Sequence, residues 1–186
     1  MIWLASGSPR RRALLIWAGF SSEVRPSDVD ESRRAEDSPV AHAQRLAAAK
    51  AAPAPRERVV CAADTVVHRG DRIFDKPHDR DEACAHLQAL SGDWHAVTTG
   101  VCLRRPGETR LFTVTTQVRF RELEAGEIEA YLATGEADDK AGAYGIQGQA
   151  AVFVAEVRGS WTNVVGLPME AVVPVLTEWG VPREYS

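Results

Sequence analysis

Cysteine is scarce in this sequence, and its spacing excludes two kinds of site. Of the 186 residues only Cys61, Cys84 and Cys102 are cysteines. They form neither a C-x-x-C pair nor an even set suited to a disulfide framework. Because disulfides belong to oxidising compartments, we expect a chain that keeps its thiols reduced in the cytoplasm.

A long hydrophobic run is also missing. No stretch of about 20 apolar residues occurs, which argues against a membrane-spanning helix. Arg10, Arg11 and Arg12 interrupt the apolar stretch near the N-terminus, which is not the pattern of a secretory signal. We therefore expect no membrane partner.

The chain has no excess of positive charge. Its 22 Lys and Arg stand against 26 Asp and Glu, a net charge of −4. No overall basic field recruits a nucleic-acid backbone, so we expect no nucleic-acid partner. Any anion that this protein binds must be held by a local basic cluster.

Several nucleotide and hydrolase motifs are absent. The five histidines lack metal-ligand spacing, which argues against a zinc site. No P-loop, no G-x-G-x-x-G and no G-x-S-x-G string is present. Chemistry at this protein must therefore come from other side chains.

What is present has the composition of a globular protein. Hydrophobic residues make up 45% and charged residues 26%, and the length suits a single domain over residues 1–186. The patterns predict strands near 2–5, 59–63, 97–103, 112–120 and 151–157, a turn and short return strand within 64–77, and helices near 9–18, 39–50, 80–90, 128–132 and after 168. Pro174 is expected to kink the last helix or mark its start. This mixed order predicts an α/β fold with a mixed sheet.

The arginine run breaks a local rule. Ser8 suits the N-cap of the first helix and Pro9 its first position, so the arginines fall in the first turn, where cations oppose the helix dipole. A broken local rule points to function. Free N–H groups, a glycine-containing loop, serine hydroxyls and arginines together make a phosphate site. The alternative is a solvated basic face on an exposed helix.

Carboxylates form a second candidate group. Asp64 follows five apolar residues and is expected at the end of a buried strand, where open α/β sheets bind ligands. Asp30 and Glu31 form another acidic point. Such a pair can hold Mg²⁺ or orient a water for attack. The alternatives are a turn or cap residue at Asp64 and an exposed acidic loop at the other two.

Two lysines and a glycine-dense segment complete the candidates. Lys50 and Lys76 can each reach a phosphate as a point charge, although each also suits an ordinary surface position. In the segment 139–148, glycines at intervals of three allow a flat ligand to approach the backbone closely. The amide of Gln147 can pair with a base edge. The alternative for Asp139 and Lys140 is a structural ion pair.

Together these segments resemble the Maf family of nucleoside triphosphate pyrophosphatases over nearly the whole chain. Their order and spacing carry the resemblance: Leu4 to Arg11, Asp30-Glu31, Arg45-Leu46-Ala47 with Lys50, Ala63 to Val67, Lys76-Pro77, Leu90-Ser91-Gly92 with His95 and Thr99-Gly100, Asp139 to Gly148, and Asn163 to Pro168.

The resemblance implies hydrolysis of the α–β phosphoanhydride of a nucleoside triphosphate, with release of a monophosphate and pyrophosphate. It implies a divalent metal cofactor, Mg²⁺ or Mn²⁺. It also implies an elongated, two-lobed mixed sheet with flanking helices and a deep central cleft, similar to that of inosine triphosphate pyrophosphatases. Members are commonly homodimers.

The resemblance also assigns roles. The catalytic aspartate falls on Asp64 and its acidic partner on Glu31, and these are also the metal ligands; which of them is the general base stays open. The basic residues for phosphate fall on Arg11, Lys50 and Lys76, with Lys76 in the catalytic set. Ser8 lies in the phosphate-binding loop.

Three positions within the family separate substrate types. Here they are Arg10, Thr65 and Gln147, as in the dTTP/UTP enzymes, whereas the 7-methyl-GTP enzymes carry a bulky aromatic, a glutamine and a glutamate. The expected substrates are dTTP, UTP and modified pyrimidine nucleotides, in house-cleaning of the nucleotide pool. The alternatives are a 7-methyl-GTP-type enzyme, and a nucleotide-binding regulator of cell division and septum formation with little hydrolysis.

Overall fold

The computed structural model describes residues 1–184; Tyr185 and Ser186, which complete the expected 1–186 domain, lie outside the described part. Its strands are β1 (Ile2–Leu4), β2 (Ser22–Val24), β3 (Val60–Arg69), β4 (Arg72–Phe74), β5 (Trp94–Arg105), β6 (Glu108–Phe120) and β7 (Val154–Arg158). Its helices are α1 (Pro9–Trp17), α2 (Pro39–Ala51), α3 (Arg80–Leu90), α4 (Ala125–Leu132), α5 (Trp161–Val165) and α6 (Met169–Glu178). Within residues 1–184, none of these helices is both long and apolar enough to cross a bilayer.

The strands form one mixed sheet in the order β2-β1-β3-β5-β6-β7, with β4 paired to β3. β1 runs parallel to β2 and β3, and the remaining pairs are antiparallel. The β5–β6 hairpin turns at Pro106 and Gly107, as the sequence predicts. The mixed α/β class is therefore confirmed.

Strand β3 separates two cores because its side chains alternate between the faces of the sheet. Cys61 and Ala63 face the larger core, to which α1, α3, α4 and α6 all contribute. Val60 and Ala62 face a smaller cluster of mostly alanines under α2. Consecutive residues of β3 therefore reach different environments.

Helix α2 lies unusually close to the sheet. Its N-terminus is capped by the Ser38 hydroxyl, and its buried face is built largely from alanine. A Cβ on Gly100 of β5 would lie 2.3 Å from the Ala43 carbonyl oxygen, so only glycine permits this approach. Since Gly100 pairs with Asp64, the close approach brings the last turn of α2, with Lys50, over Asp64.

One edge of β3 is left open where the site forms. On that edge β1 pairs with Val60 and Cys61, and β4 begins to pair only at Val67. Residues 62–66 therefore have no strand partner there within the described part of the chain. The opposite edge pairs with β5 throughout.

The expected position of Asp64 at a strand end is wrong. β3 continues to Arg69, because Val66, Val67 and His68 extend the pairing with β5. The predicted turn and return strand follow it as β4. Asp64 reaches a ligand site because β1 ends early.

The C-terminal third differs most from the sequence prediction. The predicted strand 151–157 begins only at Val154, after a 3₁₀ helix over Gln149–Phe153 whose first N–H donates to the Glu136 carboxylate at 2.8 Å. α5 was not predicted, because five residues carry too little periodicity. Pro174 lies inside α6 and does not mark its start.

Candidate active site

The open edge of β3 borders a cavity of ≈ 920 Å³. Asp30 and Arg12 do not line it, whereas nine of the candidate residues do: Ser8, Arg10, Arg11, Glu31, Lys50, Asp64, Thr65, Lys76 and Gln147. They come from the N-cap and first turn of α1, the segment after β2, the end of α2, the middle of β3, and the segments after β4 and α4. The fold therefore brings together residues up to 139 positions apart in sequence.

Asp64 and Thr65 serve different halves of this cavity. As neighbours on a strand they point to opposite faces of the sheet. The Asp64 carboxylate faces α2 and accepts from Lys50, while the Thr65 hydroxyl accepts from Arg11 on the other face. The cavity joins both halves around the open edge.

Lys50 lies between two carboxylates. Its Nζ is 2.7 Å from Asp64 Oδ1 and 2.7 Å from Glu31 Oε1. The Lys50 and Asp64 side chains are each 11% exposed, whereas that of Glu31 is 54% exposed. Asp64 is thus the fixed carboxylate of the pair, and Glu31 the one that solvent or a ligand reaches more easily.

The charge of Glu31 is favoured by its surroundings. Desolvation raises the pKa of this carboxyl, but the hydrogen bond from Lys50 and the charges of Lys50 and Lys76 outweigh it, so the pKa lies below its usual value. Glu31 is accordingly ionised near neutral pH and available as an oxygen ligand.

The carboxylates suit a divalent cation that is shared with substrate. Among residues 1–184 there is no cluster of three His, Cys, Asp or Glu side chains arranged to hold a metal. Mg²⁺ does not need one, because it commonly binds through one or two carboxylates together with phosphates and water. Glu31 and Asp64 provide such a pair, and Asp64 Oδ2 accepts no hydrogen bond from the described residues.

Arg11, in the first turn of α1, is held by three side-chain hydrogen bonds. Its Nε donates to the Gly166 carbonyl at 2.8 Å, one terminal nitrogen to Ser6 Oγ at 2.9 Å, and the other to Thr65 Oγ1 at 3.0 Å. Burial lowers the pKa of Arg11, and the negative charge of Asp64 opposes this shift. All three direct acceptors are uncharged, so the positive charge stays available to an anion.

The rest of the arginine run divides as the sequence suggests. Ser8 is the N-cap of α1 and accepts from the Arg11 N–H at 3.4 Å. Arg10 lies in the cavity, 3.8 Å from the Asp139 carboxylate. Arg12 is exposed and does not line the cavity.

The exposed Lys76 makes no ion pair within residues 1–184.

The glycines of segment 139–148 make room for the protein's own side chains, and Gly145 and Gly148 also line the cavity. A Cβ on Gly148 would lie 2.2 Å from Glu136 Oε1, and one on Gly145 would lie 2.8 Å from Lys140 Cε. Gln147, held between these contacts, is exposed in the cavity, and its amide makes no hydrogen bond to a described residue.

Sequence reasoning assigned no individual role to several residues that hold the site. Ser6 and Gly166 are two of the three acceptors of Arg11, and Thr99 contacts Thr65 at 2.9 Å. Asn163, fully buried, anchors α5 to the sheet. All four lie in segments that carry the family resemblance, but the sequence does not name their partners.

Comparison with known proteins decides the family. The family profile described as Maf-like protein matches residues 1–179. This chain belongs to the Maf family. Relatives of this Maf chain include proteins named dTTP/UTP pyrophosphatase from Chromobacterium violaceum, 46% identical over 96% of this chain and 94% of the relative, and from Anaeromyxobacter dehalogenans, 47% identical over 98% and 96%. The protein of that name from Salmonella typhimurium is 42% identical over 98% of this chain and 95% of its own.

Proposed function

We propose that this protein hydrolyses the α–β phosphoanhydride of dTTP and UTP and releases the monophosphate and pyrophosphate. One observation carries the proposal. Basic side chains, the carboxylates of Asp64 and Glu31, and the Gln147 amide, which has no hydrogen bond to a described residue, line the same cavity. Relatives named dTTP/UTP pyrophosphatase match nearly the whole chain, which supports this substrate class. The role is removal of these nucleotides from the pool.

The cations bind the triphosphate. Attack on a polyanion is slow until its charge is neutralised, so fixed positive groups aimed at the phosphates lower the barrier. Each terminal nitrogen of Arg11 keeps one N–H that no described residue accepts, and these suit phosphate oxygens. Lys50 and Lys76 add point charges from other segments.

Asp64 activates the water. Its Oδ1 is held by Lys50, which fixes the carboxylate, while Oδ2 is free to accept a proton from water. The water oxygen forms a bond to the α-phosphorus, the bond from that phosphorus to the bridging oxygen breaks, and pyrophosphate departs with the bridging oxygen. The proton passes to Asp64 and then to solvent.

Glu31 and Asp64 would also hold a divalent cation, Mg²⁺ or Mn²⁺. When bound, that cation supplies additional neutralisation of the phosphate charge. Glu31 suits this role because it is the more exposed carboxylate and stays ionised.

Gln147 reads the base. Its amide oxygen accepts from N3–H of uracil or thymine while its NH₂ donates to a neighbouring carbonyl. Arg10 and Thr65 occupy the other two positions that the family resemblance assigns to substrate choice.

A panel of nucleotides tests the proposal. Purified protein with Mg²⁺ is given dTTP, UTP, CTP, GTP and 7-methyl-GTP, and pyrophosphate release is measured with and without EDTA. We expect the highest kcat/KM on dTTP and UTP, and loss of activity in EDTA. Preference for 7-methyl-GTP would assign the other substrate type, and binding without pyrophosphate release would indicate a regulator.

Two further proposals concern setting and assembly. A reducing, cytoplasmic setting is supported by the three cysteines, which are all unpaired. A homodimer stays a prediction from the family resemblance, and sedimentation velocity at several concentrations tests it.

A further inference from the structure

Two threonines face each other beneath Arg11. Thr65 on β3 and Thr99 on β5 are direct partners in the antiparallel pairing, and their Oγ1 atoms are 2.9 Å apart. Thr99 is completely buried, and it does not line the cavity. A buried hydroxyl needs a partner, and here its partners link Arg11 to the interior of the sheet.

The hydrogen bonds of this pair have one direction. Arg11 has no acceptor, so Thr65 Oγ1 must accept from it at 3.0 Å. Thr99 donates its single hydroxyl hydrogen to the Asn163 carbonyl at 3.1 Å. Thr65 must therefore donate to Thr99. A chain of hydrogen bonds therefore runs from Arg11 to Thr65, from Thr65 to Thr99, and from Thr99 to the Asn163 carbonyl.

Asn163, at the far end of this hydrogen-bond chain, is held firmly in place. Asn163 is fully buried, and its Nδ2 donates to the Val97 carbonyl and to Thr116 Oγ1, each at 2.9 Å. Its carbonyl also accepts from the Gly166 N–H at 2.9 Å. Helix α5 and its C-cap therefore hold Arg11 in two ways. The Asn163 carbonyl accepts from Thr99, and the Gly166 carbonyl accepts from Arg11 Nε.

We propose that Thr99 is a positioning residue that orients the phosphate-binding Arg11 by fixing the hydroxyl direction of Thr65. Without the Thr99 oxygen, the Thr65 hydrogen loses its acceptor and turns away from its present direction, and Arg11 loses a directed acceptor. Thr65 then acts on phosphate binding through Arg11, in addition to any effect on the base. The proposal rests on the proposed function for its substrate, but its geometry does not.

The neighbouring threonine supplies a matched control. Thr98 is equally buried and lies on the same strand, but its hydroxyl contacts His68 and Thr115 on the other face. Thr98→Val and Thr99→Val therefore each remove one buried hydroxyl. Only Thr99→Val removes a hydroxyl that is linked to Arg11 through Thr65.

The experiment measures pyrophosphate binding by calorimetry, and KM and kcat with UTP and dTTP. For Thr99→Val we expect the dissociation constant of pyrophosphate and both KM values to rise about tenfold, the loss of one charge-assisted hydrogen bond. Thr99→Ser keeps the hydroxyl and should stay within about twofold of wild type. Thr98→Val should lose stability but keep wild-type constants.

A double mutant separates positioning from a general packing effect. In a Thr65→Val background, Thr99→Val should add almost nothing to the loss, because the two act in series. Additive effects, or Thr99→Val constants equal to those of Thr98→Val, would overturn the proposal. If Thr99→Val does not fold, Thr99→Ala is measured in the same way. Absence of UTP turnover in wild type would defeat the proposed function only, since pyrophosphate binding still tests Thr99.

Discussion

Among individual residues, Lys50 has the largest effect on the arrangement of charge in the cavity, because it pairs with two carboxylates. One ammonium group lies within 2.7 Å of both Asp64 and Glu31, so the two carboxylates are held together by a shared cation. Under the proposed function, Lys50 would exchange these carboxylate contacts for contacts with phosphate oxygens. A cation from the last turn of α2 is also favoured by the helix dipole.

Gln147→Glu tests base recognition at this scale. A carboxylate accepts but does not donate at neutral pH, so half of the pairing with a pyrimidine is lost. We expect kcat/KM for UTP and dTTP to fall roughly 10–100-fold, the cost of an unpaired polar group. Steady-state kinetics with both nucleotides checks this.

Gln149→Glu is the control for added charge, since Gln149 is exposed and does not line the cavity. It should behave as wild type. An unchanged kcat/KM on UTP for Gln147→Glu would mean that another residue reads the base.

At the scale of elements, the contact between α2 and β5 decides where Lys50 lies. Gly100→Ala would place a Cβ 2.3 Å from the backbone of Ala43, and backbone cannot move aside as a side chain does. We expect the free energy of unfolding to fall by about 3 kcal/mol, at the upper end of overpacking effects. kcat should also drop, because α2 carries Lys50.

Gly126→Ala is the comparison. Gly126 lies in α4, where an added Cβ meets nothing within 4 Å, so the variant should be unchanged or slightly more stable. Urea denaturation of both variants checks the pair. Equal stability of Gly100→Ala and wild type would contradict the packing described here.

The elements also show what sequence alone can predict. α1 and α2 were predicted well, because Ser8 and Ser38 are caps followed by proline, which are local signals. The open edge at Asp64 was not predictable, since it depends on where β1 ends relative to β4.

Nine residues that line the cavity could be named from motifs and resemblance, but their contacts could not. The support of Arg11 by Thr65 and Gly166 joins segments far apart in the chain. Likewise, the close packing of Glu136 and Lys140 on the glycines near Gln147 could not be predicted, because only the folded structure identifies these partners.

At the scale of the whole molecule, one buried histidine couples stability to pH. His95 is 1% exposed and bonds Tyr144 through Nε2 at 2.8 Å. Burial, assisted by the charge of Arg69 and opposed by that of Asp93, lowers the pKa of His95 from 6.5 to about 4. The folded protein therefore keeps this ring neutral at pH values where the unfolded chain protonates it.

The sign of the effect follows from proton uptake. Well above pH 6.5 His95 is neutral in both the folded and the unfolded state. As the pH falls through 6.5 toward 4, the unfolded state gains a proton that the folded state does not. We expect His95 alone to lower the free energy of unfolding by about 2 kcal/mol between about pH 7 and pH 5.

Urea denaturation at these two pH values measures it, with His95→Gln as the comparison. Burial also lowers the pKa of His86, so the variant should keep part of the pH dependence and lose the share of His95. An identical pH dependence in wild type and His95→Gln would contradict this assignment.

The central claim is that a buried carboxylate at the open edge of β3 drives pyrophosphate release, and Asp64→Asn tests it most directly. Asp37→Asn is the matched control, because the Asp37 side chain is also 11% exposed, is held by Arg45 at 2.7 Å and does not line the cavity. With UTP and dTTP, Asp64→Asn should fold and lose kcat by roughly 10²–10⁴-fold, as expected for removal of a general base, while Asp37→Asn keeps it. Near-wild-type pyrophosphate release by folded Asp64→Asn would contradict the account.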